Sequence, residues 1–173
     1  MTPRERRERL FRGGRPVIRR LEILDGEQYS KDMGILWAAY KAGSFPIPDG
    51  MSQADFVKTI EDSPYQQTWI VDDKSKSFSS GHGPIALMGT NTAGMIVEVK
   101  GVFFKWASRR NTLRGSVAFL NMLRGSKKTG IILVRTQKEK MTLPDHLKLY
   151  ELLYFLGQSD ESEYLYSVRG RGS

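Results

Sequence analysis

The sequence predicts an α/β domain built on a mixed, mostly antiparallel sheet flanked by helices. Three observations carry this reading. Segments with strand-like character interleave with segments of helical three- and four-residue spacing, in the order strand, two helices, three strands. Gly130–Thr136 is a continuous apolar strand of the kind covered on both faces. And 39% of the 173 residues are hydrophobic, enough for a real core.

Taken in order, residues 1–16 read as a basic arm, briefly helical through Pro3–Phe11, and residues 17–173 as the domain. Val17, Ile18, Leu21 and Ile23 suggest a first strand ending at Asp25-Gly26. Tyr29, Met33, Leu36, Trp37 and Tyr40 make one apolar helix face, stopped by Gly43 and the Pro46/Pro48 pair. Ser52 with Asp55 marks a helix start, and Phe56, Val57 and Ile60 give a short second helix. Thr68–Asp73 is a strand with Trp69 and Val71 on one face. Pro84–Thr90 follows, then a turn at Asn91–Gly94 and a long strand, Met95–Trp106. Ser116–Arg124 reads as a helix and Gly130–Thr136 as a strand. Pro144–Leu156 reads as a helix with Pro at its start and Gly157 past its end, and Glu163–Val168 as a last strand. The strands Met95–Trp106 and Gly130–Thr136 are expected to run parallel across the intervening helix.

Composition excludes several chemistries. There is no cysteine, so disulfides, thiolate catalysis and cysteine-bound metals are out. The two histidines, His82 and His146, cannot make a multi-histidine site, and no metal is expected. No apolar run approaches the roughly 20 residues that cross a bilayer, so no membrane partner is expected. The N-terminus lacks the apolar stretch of a secretory signal, and the expected location is cytoplasmic. Of the net charge of +8, +6 lies in residues 1–20, where eight arginines stand against Glu5 and Glu8. Such an arm suits a protein partner or self-assembly, with Leu10, Phe11 and Val17 as apolar anchors; phosphate contact with nucleic acid is the alternative.

The most informative segment is Val102–Leu123, where a strand runs into Arg109-Arg110-Asn111-Thr112-Leu113-Arg114-Gly115-Ser116 and then a helix. A strand–loop–helix of this kind places backbone N–H groups and a helix dipole toward an anion. It resembles the acyl-CoA diphosphate loop of the GNAT superfamily, Arg/Gln-x-x-Gly-x-Gly/Ala, with Arg110 on the first position, Gly115 on the last and Leu113 in place of the middle glycine. Tyr150-Glu151-Leu152-Leu153-Tyr154-Phe155 is similar to a second GNAT pattern, Tyr-Glu-x-x-Gly-Phe, again without its glycine.

The resemblance implies a GNAT fold over roughly residues 17–168 and an N-acyltransferase that moves an acyl group from acetyl-CoA, or another acyl-CoA, to an amine. Arg109–Ser116 would hold the diphosphate, with Arg109, Arg110 and Arg114 offsetting the lost glycine. Phe103 and Phe104 would lie along the pantetheine arm. Glu98 would take a proton from the attacking ammonium, and Tyr150 would protonate the departing thiolate. The missing glycines leave a second reading open: a GNAT-fold protein that does no chemistry and works by assembly or partner binding, in the manner of a bacteriophage virion component.

Overall fold

The computed structural model describes residues 1–73, 83–137, 154–158 and 163–169. The elements run α1 (Pro3–Leu10), β1 (Val17–Arg20), α2 (Gly26–Lys41), α3 (Gln53–Glu61), β2 (Gln67–Asp72), β3 (Pro84–Ala93), β4 (Ile96–Phe103), α4 (Arg109–Gly125), β5 (Ile131–Gln137), β6 (Tyr154–Gln158) and β7 (Glu163–Arg169). The strands form one sheet in the order β1-β2-β3-β4-β5-β7-β6. Every neighbouring pair is antiparallel except β4 and β5, which are parallel as expected.

Strand alternation sorts side chains onto two faces. Val71, Val97 and Val99 point to one side and meet Val117, Phe119 and Leu120 of α4. Ile70 points to the other and meets Met33 and Leu36 of α2 and Phe56 of α3, with Phe104 completing that core just past β4. Trp69 and Val71 do share a face. Ser52 caps α3, its hydroxyl accepting from the Asp55 N–H at 3.1 Å. Across the edge strand, Arg19 holds Asp32 of α2 with two hydrogen bonds, 2.5 and 2.7 Å, and those bonds raise the guanidinium's already high pKa.

Several boundaries differ from the sequence reading, the first strand among them, which ends at Arg20 instead of reaching Ile23. The β3–β4 turn narrows to Gly94-Met95, and β3 runs on to Ala93, three residues past its expected end, because Gly94 supplies a left-handed φ of 60°. The long fourth strand ends at Phe103, since Ala107 N donates to Phe104 O (2.9 Å) and turns the chain there. Residues 154–156, expected to close a helix, are the start of β6 and pair with β7, where sheet pairing outweighs local helical spacing. The rest of that expected helix lies outside the described residues.

The arm is not a free extension. Thr2 and Glu5 form a capping box on α1, and Pro3 opens it. Leu10 is 4% exposed within the α4-side core, and Phe11 packs against that core; Val17 is exposed. Two of the three expected apolar anchors are therefore used inside the molecule.

Candidate functional site

Two features meet at the C-terminal end of β4. The first is a parting of strands. Parallel pairing runs through four positions, from Ile96 with Ile131 to Val99 with Val134, and stops. Beyond it, β4 stays on β3 through Phe103 with Ala86, while β5 follows β7. The two strands therefore separate toward the end where the helix begins. Glu98 pairs with Leu133 one position before the parting. It is half-buried, on the face opposite Val97 and Val99, and so on the side of α2 and α3.

The second feature is the start of α4. Ser108 caps it: Ser108 Oγ accepts from the Asn111 N–H (3.0 Å), and Ser108 N donates to Asn111 Oδ1 (3.3 Å). Arg109 and Arg110 occupy the exposed first turn, which holds no acidic residue. Cations there oppose the helix dipole, at a cost of about 0.3–1 kcal/mol each. Carboxylates usually sit in such a turn; two arginines suit an anion brought from outside.

One turn further on, the helix is tied down rather than open. Arg114 is fully buried. Its Nε donates to Asp73 Oδ2 (2.8 Å) and its Nη2 to Asp73 Oδ1 (3.3 Å), while Nη1 and Nη2 also donate to the carbonyls of Leu10 and Gly14. Asn111 Nδ2 adds a bond to Asp73 Oδ2 (3.1 Å). The guanidinium thus joins α4, the end of β2, the last carbonyl of the arm's helix at Leu10 and the carbonyl of Gly14 in the turn after it.

No family model matches this chain, and no curated protein does. Solved structures do. A GNAT-family acetyltransferase from Bacillus anthracis superposes with a TM-score of 0.60 at 15% identity, over 91% of this chain and 96% of that one. A chimera of the Vibrio cholerae spermidine N-acetyltransferase and a second sequence gives 0.59 at 15%, over 90% and 96%. The ribosomal-protein-S18-alanine N-acetyltransferase of Escherichia coli gives 0.52 at 9%, over 89% and 93%. This is the GNAT fold.

Against the GNAT fold, the segment Arg109–Ser116 needs correcting: it is not a loop but the first two turns of α4, which begins seven residues earlier than expected. The cause is the Ser108-x-x-Asn111 cap together with the absence of the middle glycine. Leu113 is helical and packs against the α4-side core. Asn111, Gly115 and Ser116 are buried, and Arg114 is spent on Asp73 and the arm, so it does not face a ligand. Thr112 is half-buried and its hydroxyl donates back to Ser108 O (3.0 Å). Gly115 serves helix–sheet contact: a Cβ there would lie 3.0 Å from Ile85 Cδ1 and 3.1 Å from Val71 Cγ1.

Of the expected site residues, Glu98 lies beside the parting on β4, and Arg109 and Arg110 open α4. Phe103 packs toward α4 and Phe104 toward α2 and α3, both as core side chains. Tyr150 and both histidines fall outside the described residues. Among the described residues no cluster of acids or histidines suits a metal ion, and no helix is long and apolar enough to cross a membrane. Sequence reading missed Ser108 and Asp73. The first was signalled by Ser-x-x-Asn before an apolar helix; nothing local signalled the second.

Proposed function

We propose that this chain is a GNAT-type N-acyltransferase, binding an acyl-CoA between β4 and β5 and passing its acyl group to an amine. The observation that carries the reading is the parting of those strands one residue beyond Glu98, at the foot of a helix whose first turn bears two exposed arginines. The residues fit the ligand at that mouth. First-turn N–H groups and the guanidiniums of Arg109 and Arg110 would hold the diphosphate, and the gap beyond Val99 would admit the pantetheine arm. The bound thioester supplies an activated acyl group. Glu98 would take the proton of the incoming ammonium from the α2/α3 side of the sheet, and Tyr150 would give a proton to the leaving sulfur.

Calorimetric and thermal-shift titrations with acetyl-CoA test this. At one hundred times its Kd the ligand stabilises the fold by about 2.7 kcal/mol. Arg110→Ala weakens binding more than Lys127→Ala, just past the far end of α4. Free thiol released on adding spermidine or a peptide with N-terminal alanine, the acceptors named for two fold neighbours, reads the transfer itself. Equal effects of the two substitutions, or no stabilisation at millimolar acetyl-CoA, defeat the proposal.

A second reading, a non-catalytic GNAT-fold binding protein, is favoured by one observation: Leu113 and Arg114 are built into helix and core where the family's loop has open backbone. Absence of CoA binding selects it.

A further inference from the structure

The docked arm creates a surface that neither α1 nor α4 has alone. A groove of about 640 Å3 runs between them. Its apolar lining includes Phe11, Ile18 and Met122, all half-buried extensions of the α4-side core. Arg4, Arg7 and Arg15 line it as well, and among the described residues the one acidic side chain in the lining is Glu8, which pairs with Arg4 at 2.9 Å. The α4 residues involved, Ala118 to Met122, lie nine to thirteen residues past Arg109, about 14–20 Å along the helix at 1.5 Å per residue. The groove is therefore separate from the α4 N-terminus and does not depend on acyl-CoA binding.

We infer that this groove docks an acidic, amphipathic segment of a protein partner, lying along the two helices. The charge asks for carboxylates: three arginines stand against one glutamate, and their attraction steers encounter and fixes orientation. The floor asks for something more. Phe11, Ile18 and Met122 offer an apolar strip that leucine-like side chains fill, as in helix-in-groove recognition. A phosphodiester backbone would satisfy the arginines yet bring nothing to that strip. The Phe11 ring is engaged by Arg15 and Arg114, whose guanidinium carbons lie 5.3 and 5.8 Å from its centroid, which disfavours base stacking there.

The test is fluorescence anisotropy on the full chain. The probe is a fluorescein-labelled helical peptide with Glu on one face and Leu on the other; controls are the same peptide with Lys for Glu, and single- and double-stranded oligonucleotides. The Glu peptide binds, binding falls with salt, and the Lys peptide does not bind. Arg4→Gln/Arg15→Gln weakens the complex. Met122→Glu weakens it by about tenfold or more, as expected for a charge placed in an apolar floor. Ala118→Glu on the same lining repeats the test should Met122→Glu fail to fold, and thermal melts check each variant. No binding of the Glu peptide at low salt overturns the inference. So does tighter binding of an oligonucleotide that displaces the peptide, or indifference to both floor substitutions. Self-association in sedimentation that is lost in these same variants also overturns it, since the occupant would then be a second copy.

Discussion

Removing the arm and replacing Arg114 must act on the same interaction, and a thermodynamic cycle measures this. Arg114→Met keeps the volume but leaves Asp73 with the Asn111 bond in place of a buried ion pair. Breaking a buried pair by removing one partner costs about 3–5 kcal/mol. Deleting residues 1–15 removes Leu10 from the core, which is worth about 1.5–3 kcal/mol. It also removes the two carbonyls that accept from the guanidinium. At about 1.5–3 kcal/mol for each hydrogen bond to a charged group, those two account for at least about 3 kcal/mol. The arm's ordering entropy enters both deletion steps and cancels. Deletion should therefore destabilise the Arg114→Met protein by about 3 kcal/mol less than it destabilises the unaltered one. Urea unfolding followed by circular dichroism gives all four corners. Additivity within about 0.5 kcal/mol would mean that arm and helix are independent and that the buried guanidinium does not hold the arm.

Three further outcomes follow from the geometry. Gly89→Ala should destabilise the fold by about 1–3 kcal/mol in urea, because a Cβ there would lie 2.3 Å from Tyr65 Cγ and must displace the ring. Arg109→Glu should raise the melting temperature slightly, by relieving about 0.3–1 kcal/mol of helix-dipole repulsion, while weakening acetyl-CoA binding in calorimetry; a loss of both would show that the arginine is structural. Tyr29 has its pKa pushed up to about 12, first by desolvation and then by its hydrogen bond to Glu61. Its neutral form is thus favoured in the fold, and the stability this gives is complete below pH ~10, the unfolded value, and lost as pH rises toward about 12. The difference in urea stability between the unaltered protein and Tyr29→Phe should be flat below that window and fall through it.

Much of the architecture could be read along the chain because its signals are local. Ser52 with Asp55, the Trp69/Val71 alternation and the apolar Gly130–Thr136 run each act over a few residues, and each keeps its assigned role. The candidate site was legible only in part. Glu98 stands beside the parting of β4 and β5, and Arg109 and Arg110 open the helix that follows β4. The diphosphate loop was misread because family spacing was given more weight than the cap at Ser108, which lies closer to the physics of where a helix begins. Arg114 could not be assigned from sequence at all. Its partners are 41 and 104 residues away, and nothing near it distinguishes a buried arginine from a solvated one. The β6 strand was missed for a different reason: its partner β7 begins only five residues after it ends, but its own first residues continue the helical spacing of the segment before them.

The arm's tie to α4 also has a consequence for the order of events in synthesis. Leu10 leaves the ribosome first, and the guanidinium that will hold it is made 104 residues later. At about 5–20 residues per second, that interval is about 5–20 s. Throughout it, an arginine-rich segment with an exposed leucine and phenylalanine trails from a nascent chain beside a polyanionic ribosome. Capture of the arm by Arg114 of α4 is the step that ends the exposure.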